Sequence, residues 1–327
     1  MARRYLLSID GGGIRGILPA TALLKLEEVT GRPLRETFSF VAGTSTGALI
    51  SAAIAAGVPA RRILEVYLTR GKEIFSPRAP WNTIKRLATG HMYPTQKLYQ
   101  VIHETLGAAG DWKLNDSPID LLITAKGLNG RAWYFVRDNP GNSGFTGQFP
   151  LADCATASAA APTYFAPWKI GADQPGTLVD GGVGVTGNPV DQACVEAFYY
   201  TSGYVPAETT VISLGTGRFP PEKEPKSIWS WLGWILAELL RSPGEQQTEI
   251  VHRHFTEVAF YRLDPDIMAL DPTLKKPIDM DDVEAIERLH RYGEQFAAQI
   301  DWAAILAGTD TTFRVAPGKT LWYQYKK

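Results

Sequence analysis

The sequence predicts an α/β fold in which a mostly parallel central sheet is covered by helices on both faces. Strand-like and helix-like stretches alternate along most of the 327 residues, which is the pattern of parallel strands joined by helical crossovers. Two apolar strand patterns, 4–9 and 38–42, each end in a glycine-containing turn that leads directly into a helical pattern. With 45% hydrophobic residues, the chain can bury one large core. We therefore expect a single domain over residues 1–327.

The expected elements follow from the spacing of apolar residues, which repeats every two residues in strands and every three to four in helices. The predicted strands are 4–9, 38–42, 119–126, 132–137, 177–180, 210–214 and 258–262. The predicted helices are 18–30, 46–56, 59–72, 95–106, 152–160, 189–200, 246–256 and 281–306.

The first turn, 10–16, is rich in glycine and connects the first strand to the first helix. Three of its residues match the G-x-G-x-x-G spacing of dinucleotide-binding folds: Gly11, Gly13 and Gly16. Those folds need an acidic residue at the end of the second strand, about 20 residues further on. Glu27 and Glu28 lie near that distance but fall inside the helical pattern 18–30, so a dinucleotide site is disfavoured. The turn still offers backbone N–H groups that can bind an anion.

The second turn places Ser45 between a strand and a helix. Residues 43–47 are Gly-Thr-Ser-Thr-Gly, which matches the G-x-S-x-G nucleophile elbow, a sharp turn that exposes the serine hydroxyl at the end of a strand. The helix N-terminus beneath it carries partial positive charge and free N–H groups, which favour a developing anion. Ser45 is therefore a candidate nucleophile, and the turn 10–16 is a candidate oxyanion hole.

A carboxylate with suitable placement is Asp180, which ends the short apolar run 177–180 and precedes two glycines. A carboxylate at a strand end can act as general base for a serine. Taken alone, Asp-Gly-Gly is more often a simple turn than a catalytic site. Its presence together with Ser45 and the glycine turn makes Asp180 a candidate base.

Together, the segments 10–16, 43–47 and 180–182 resemble the three motifs of the patatin-like phospholipases, in that family's order. Two further stretches, 155–165 and 212–217, agree with the family's small-residue helix and late glycine turn. The resemblance covers about residues 4–217. It implies a patatin-like three-layer sandwich, with 218–327 as the C-terminal part of the same domain.

The resemblance also implies a serine acyl hydrolase that cleaves carboxylic esters of lipids through a Ser–Asp dyad and an acyl-enzyme. Ser45 would be the nucleophile and Asp180 the base. The implied oxyanion hole consists of five consecutive residues: Gly11, Gly12, Gly13, Ile14 and Arg15. No cofactor and no metal ion are implied, and no substrate-binding residue is assigned. Two alternatives stay open: an acyltransferase on the same scaffold, and a membrane-degrading effector activated by a ligand or partner.

A catalytic triad is the other arrangement to consider. Ser45, Asp180 and His252 follow the chain order of α/β-hydrolase triads. However, the candidate nucleophile follows only the second predicted strand, and His252 lies in the helix-like stretch 246–256 without a turn signal. The dyad is therefore favoured.

The segment 227–240 is unusual because it holds three of the nine tryptophans, Trp229, Trp231 and Trp234. Its apolar run is too short to span a bilayer. One interpretation is a helix buried against the core. The other is a lid or interfacial anchor, since tryptophan favours the headgroup region of a membrane. The expected partners are a lipid or ester substrate and, through these tryptophans, a membrane surface.

The net charge and the position of the first predicted strand lead to two further expectations. A net charge of −1 provides no field for nucleic acid. The first strand begins near residue 5, which leaves no room for a signal peptide. We therefore expect a cytoplasmic protein with peripheral membrane contact, and no oligomeric state is predicted.

Overall fold

A computed structural model describes residues 3–75, 91–141, 144–171, 175–219 and 244–315, together with residues 224, 226 and 231. The described strands are β1 (Arg4–Ile9), β2 (Phe40–Gly43), β3 (His91–Tyr93), β4 (Asp120–Gly127), β5 (Ala132–Val136), β6 (Thr163–Phe165), β7 (Trp168–Ile170), β8 (Gly176–Asp180), β9 (Thr209–Leu214) and β10 (Ala259–Leu263). The described helices are α1 (Ile17–Thr30), α2 (Leu34–Thr37), α3 (Thr46–Ala56), α4 (Ala60–Ile74), α5 (Thr95–Leu106), α6 (Leu151–Ser158), α7 (Val190–Val195), α8 (244–254), α9 (Ile267–Leu270), α10 (Ile286–Ala297) and α11 (Trp302–Ala307).

The central sheet is mostly parallel, as predicted. Among the described strands, eight form one sheet in the order β10-β9-β1-β2-β4-β8-β7, with β5 paired to β4. The five strands from β10 to β4 are mutually parallel, whereas β5, β8 and β7 run antiparallel to their neighbours. The strands β3 and β6 form a separate parallel pair.

Strand β4 pairs with two strands along one edge. Its residues 120–123 face β2, and its residues 125–127 face β8. The opposite edge is taken by β5, which pairs with residues 122–126. Strand β8 begins to pair with β4 just beyond the last β4 residue that pairs with β2. The turn after β2 and the last residue of β8 therefore lie next to each other at this edge of β4.

Apolar residues of the sheet alternate between two cores, one on each face. Leu7, Ile9 and Val41 face the larger core, which is formed with α1, α3, α4, α5, α6 and α10. Leu6 and Phe40 face a smaller core, which α7 and α8 cover. This alternation is the period of two that strands impose, and it confirms the prediction of helices on both faces. The chain beyond residue 217 contributes β10 to the same sheet.

The prediction of one long helix over 281–306 was wrong. The chain instead forms α10 and α11, separated at Asp301, whose carboxylate accepts the N–H of Ala304 at 2.9 Å and so begins a new helix. The predicted helix 189–200 is α-helical only over Val190–Val195 and continues as the π-helical turn Glu196–Tyr200.

Three strands, β3, β6 and β7, were not predicted. Each has only three residues, which is too short for an alternating pattern to be recognised.

The tryptophan segment 227–240 lies outside the described residues, except for Trp231, which is 46% exposed. Within the described parts of the chain, no helix combines the length and the apolar character needed to cross a bilayer.

Candidate active site

The turn from β2 to α3 holds Ser45 in a conformation that ordinary residues avoid. Its φ is 56° and its ψ is −120°, a strained combination that persists only where the surroundings enforce it. The backbone N–H of Ser45 donates to Ser158 Oγ at 2.9 Å, and the N–H of Gly47 donates to the carbonyl of Thr44 at 2.8 Å. Sequence reasoning missed Ser158, although it lies within the small-residue stretch 155–165.

The two glycines of this turn are required by close packing. A Cβ on Gly43 would lie 2.1 Å from the carbonyl oxygen of Gly47, and a Cβ on Gly47 would lie 2.1 Å from the carbonyl oxygen of Ile9. The start of α3 therefore rests directly on the ends of β1 and β2. This contact fixes the serine above the carboxyl ends of the parallel strands.

The Asp180 side chain is buried beside Ser45. Its carboxylate accepts a hydrogen bond from the N–H of Gly182 at 2.7 Å and interacts with the Ser45 hydroxyl. Burial raises the pKa of Asp180 to about 6, although the bonds from Ser45 and Gly182 act in the opposite direction. The N–H of Asp180 donates to the carbonyl of Ala160 at 3.0 Å. The end of α6 and the residues after it thus contact both residues, Ser45 through Ser158 and Asp180 through Ala160.

Three of the five predicted oxyanion-hole residues already use their backbone N–H groups within the fold. These bonds are Gly11 to the carbonyl of Gly187 (2.9 Å), Ile14 to the carbonyl of Met280 (2.8 Å) and Arg15 to the carbonyl of Gly12 (3.2 Å). Over the described parts of the chain, the N–H groups of Gly12 and Gly13 have no such partner. The available backbone donors in this turn are therefore those of Gly12 and Gly13.

This glycine turn lies against the serine turn with no room for side chains. A Cβ on Gly11 would lie 3.3 Å from Ser45 Cβ, and a Cβ on Gly12 would lie 2.4 Å from Thr216 Oγ1. Gly13 has φ +58°, and a Cβ there would lie 2.3 Å from the carbonyl oxygen of Met280. The turn can therefore pack against Ser45, Thr216 and Met280 only because these three residues are glycines.

The Arg15 side chain stabilises this turn by binding the carbonyl of Gly12. Its Nε donates to the carbonyl oxygen of Gly12 at 3.2 Å, and its guanidinium lies over the Phe219 ring, 5.1 Å from the centroid. In a trans peptide the C=O of one residue and the N–H of the next point in opposite directions. By holding the Gly12 carbonyl, Arg15 directs the N–H of Gly13 to the other side.

A buried ion pair anchors the start of the glycine turn. Arg262 of β10 donates to both carboxylate oxygens of Asp10, at 3.0 and 2.6 Å, and also to Ser213 Oγ and Asp264. Burial alone would lower the pKa of Arg262, but the carboxylates of Asp10 and Asp264 raise it above its ordinary value, so the guanidinium stays charged. Sequence reasoning missed this pair because 252 positions separate its members.

No histidine contacts the Asp180 carboxylate in the described residues; its partners are Ser45 and Gly182. His252 is buried in α8, and the described contacts do not join it to Ser45 or Asp180. The geometry therefore brings together a serine and an aspartate without a third residue of the histidine type.

The chain is similar in sequence to several named members of one protein family. A family model described as patatin-like phospholipase matches residues 7–194. Human calcium-independent phospholipase A2-gamma is 28% identical over 328 residues, which cover 94% of this chain but only 40% of that protein. Patatin-like protein 2 of Arabidopsis thaliana is 29% identical, covering 89% of this chain and 82% of that protein. The cGAMP-activated phospholipase of Escherichia coli (strain TW11681) is 31% identical, covering 60% of this chain and 56% of that protein.

Proposed function

The chain belongs to the patatin-like phospholipase family, and we propose that it hydrolyses carboxylic esters of lipids, with Ser45 as nucleophile and Asp180 as base. The observation that carries this proposal is the contact between the Ser45 hydroxyl and the buried Asp180 carboxylate. The Ser45 side chain lies beside the glycine turn, in which the N–H groups of Gly12 and Gly13 have no hydrogen-bond partner among the described residues.

Acylation proceeds in two proton transfers. Asp180 accepts the hydroxyl proton of Ser45 while Oγ attacks the ester carbonyl carbon, and the N–H groups of Gly12 and Gly13 bind the resulting oxyanion. The intermediate then collapses, the bond to the leaving alcohol breaks, and the alcohol takes the proton from Asp180. The product of this half-reaction is an acyl ester on Ser45.

Deacylation repeats these steps with water as the nucleophile. Asp180 removes a proton from water, the hydroxide attacks the acyl-enzyme, and the same two N–H groups bind the second oxyanion. Ser45 leaves with the proton, and the free carboxylic acid is released. A raised pKa suits Asp180 to this role, because a carboxylate with a pKa of about 6 is a stronger base than a free one and is still ionised at neutral pH.

One relative suggests a second form of this activity. The Escherichia coli protein is named as a cGAMP-activated phospholipase, which favours the alternative of an effector whose site is silent until a ligand or partner is bound. Robust hydrolysis by the purified protein without added ligand would contradict that alternative.

The acyltransferase alternative predicts transfer products when an alcohol or lysolipid acceptor is supplied.

The lipid surface is the proposed partner, through Trp229, Trp231 and Trp234. Trp231 is 46% exposed, and tryptophan favours the interface between water and lipid. Replacing all three with serine should reduce hydrolysis of vesicle lipids and largely preserve hydrolysis of a short water-soluble ester. Equal loss of both activities together with a lowered melting temperature would instead indicate a buried helix.

The experiment that tests the main proposal is a lipid-panel assay with products identified by mass. Wild-type protein should release fatty acid from at least one phospholipid, galactolipid or lysophospholipid, and Ser45→Ala should release none. Release by Ser45→Ala at the wild-type rate would overturn the assignment.

A further inference from the structure

We infer that Thr216 is a positioning residue for the oxyanion hole: its hydroxyl holds the peptide between Gly11 and Gly12 so that the Gly12 N–H faces the reacting ester. This inference rests on the proposed function, because it concerns the same reaction.

The hydrogen bond that carries the inference joins Thr216 Oγ1 to the carbonyl oxygen of Gly11, at 2.7 Å. The C=O of Gly11 and the N–H of Gly12 belong to one planar peptide unit and point in opposite directions. Any group that fixes the carbonyl therefore fixes the direction of the N–H. The Thr216 hydroxyl donates on one side of this peptide, and the Gly12 N–H on the other side has no partner in the described parts of the chain.

The peptide needs such a restraint because glycines flank it. Gly11 and Gly12 have no Cβ, so few steric contacts limit rotation of the peptide plane between them. A rotated peptide would turn the Gly12 N–H away from the oxyanion and bring a carbonyl oxygen toward it. Oxyanion stabilisation depends on donors that are already oriented before the reaction begins. The hydrogen bond from Thr216 supplies this orientation.

Thr216 itself is held through its two neighbours, whose N–H groups donate to the backbone of β10 and to the side chain of the residue after it. The N–H of Gly215 donates to the carbonyl of Leu263 at 2.9 Å, and the N–H of Gly217 donates to Asp264 Oδ1 at 3.0 Å. Thr216 also packs directly on the turn, since a Cβ on Gly12 would lie 2.7 Å from Thr216 Cβ. The hydroxyl is therefore presented from a rigid support.

The same support is tied to the start of the glycine turn. Arg262 donates to Asp264 at 3.2 Å and to both oxygens of Asp10. Asp264 holds the turn that carries Thr216, and Asp10 begins the turn that carries Gly11. The ion-pair network thus fixes the separation of the two turns, and the bond from Thr216 sets the orientation of the peptide between them.

Each of these two N–H groups is thus oriented by one side chain, which binds the carbonyl of the same peptide unit. Thr216 holds the carbonyl that precedes the Gly12 N–H, and Arg15 holds the carbonyl that precedes the Gly13 N–H. The two residues act on successive peptide units and are not interchangeable. Loss of the Thr216 hydroxyl should affect only the first of the two donors.

The test compares Thr216→Val, which removes the hydroxyl and keeps the branched shape, with Thr216→Ser, which keeps the hydroxyl. Thr209→Val is the matched control: Thr209 is buried at the start of β9, the strand that leads to the turn of Thr216, and its hydroxyl also donates to a backbone carbonyl, at 2.8 Å. The measurements are kcat and KM on a water-soluble ester, the rate of Ser45 labelling by a fluorophosphonate, and the melting temperature.

For Thr216→Val we expect kcat to fall roughly 10- to 100-fold, less than the about 100- to 1,000-fold cost of removing an oxyanion donor outright. KM should change little, because the donor acts in the transition state. Thr216→Ser should recover most of the lost kcat, and Thr209→Val should keep the wild-type kcat. Thr216→Ala provides a second hydroxyl-free variant should the valine side chain prevent folding, with the same expected loss.

Wild-type kcat in a folded Thr216→Val or Thr216→Ala protein would overturn the inference. So would a Thr216→Ser protein as impaired as Thr216→Val, or an effect confined to KM, because both outcomes indicate a packing role. Failure of the proposed function has a different signature: the wild-type protein itself would neither hydrolyse esters nor react with the fluorophosphonate, and the inference would fall with it.

Discussion

Ser158 Oγ accepts the backbone N–H of Ser45 at 2.9 Å, and this bond supports the backbone of Ser45 at φ 56°. The bond joins α6 to the turn that carries the candidate nucleophile. It leaves the Ser45 side chain free to contact Asp180, because it uses only the backbone. Ser158 thus holds the backbone of Ser45, and Asp180, the proposed base, lies beside its side chain.

Removing this support should weaken both the fold and the reaction. Ser158→Ala leaves a buried N–H unpaired, which typically costs about 1–3 kcal/mol, so we expect a lower melting temperature and slower fluorophosphonate labelling. Ser51→Ala is the matched control, because Ser51 is buried in α3 and its hydroxyl has no partner in the described structure. Equal behaviour of the two variants would show that the Ser158 bond does not matter.

The proposed dyad predicts that Ser45→Ala and Asp180→Asn each lower ester hydrolysis by about a thousandfold or more, as loss of a nucleophile or its base does in serine hydrolases. A fluorophosphonate should label Ser45, with the adduct located by peptide mass. His252→Ala should keep substantial activity, since no described contact joins His252 to the carboxylate. A thousandfold loss in that variant would support a triad instead.

Activity should depend on the ionisation of Asp180. Only the carboxylate can accept a proton, and its pKa is about 6, so kcat/KM should decrease as the pH is lowered through about 6. Stability should change in the opposite direction. A pKa raised in the folded state favours the protonated folded form, so the contribution of Asp180 to stability is present at low pH and is lost as the pH rises through about 6.

A pH series of initial rates, with a thermal melt at each pH, separates these effects. Unchanged activity well below pH 6 in protein that is still folded would contradict the role of Asp180 as base.

The buried ion pair predicts a large stability cost for Arg262→Met. The change leaves the buried carboxylate of Asp10 and the partly buried carboxylate of Asp264 without their cation, and breaking a buried pair in this way costs about 3–5 kcal/mol. The control is Arg61→Met, which removes an exposed partner of Glu28 at 3.3 Å and should cost no more than about 1 kcal/mol. Urea unfolding of both variants measures the difference, and a similar small cost for both would contradict the prediction.

The glycine turn predicts that Gly13→Ala damages the site and the fold. A Cβ there would lie 2.3 Å from the Met280 carbonyl oxygen, at φ +58°, so the turn must move. Gly31→Ala isolates the backbone strain, because Gly31 has φ +63° and nothing within 4 Å of the added Cβ. We expect Gly31→Ala to cost about 1–2 kcal/mol and to keep its activity, whereas Gly13→Ala loses activity and more stability. Wild-type turnover in Gly13→Ala would exclude this turn as the oxyanion hole.

The residues predicted from the sequence are those with local signals. Ser45 lies in the glycine-containing turn after a recognisable strand, Asp180 ends another strand just before two glycines, and the structure places the two side chains next to each other. The helix over 46–56 was predicted with the bounds that the structure has, because a glycine precedes it and Gly57 ends it in the left-handed conformation.

The supporting residues could not be predicted, because their partners are distant along the chain. The bond from Thr216 to Gly11 spans 205 positions, and the bond from Ser45 to Ser158 spans 113. The same limit applies to the backbone donors of the glycine turn. Whether the N–H of Gly11 is free depends on Gly187, and no local pattern relates the two.

The pairing of β4 with both β2 and β8 has a consequence for insertions and deletions. On β4, Ile123 pairs with Gly43, which begins the turn of Ser45, and Ala125 pairs with Asp180. A single β4 residue, Thr124, therefore separates the two positions that set the distance between Ser45 and Asp180. Connections outside the sheet, such as the exposed turn 128–131 between β4 and β5, can change length without altering this spacing. An added residue at position 124 would shift Asp180 by about 3.3 Å along the sheet and turn its side chain to the opposite face. Length variation should therefore be tolerated in the loops and be lethal to catalysis at the centre of β4.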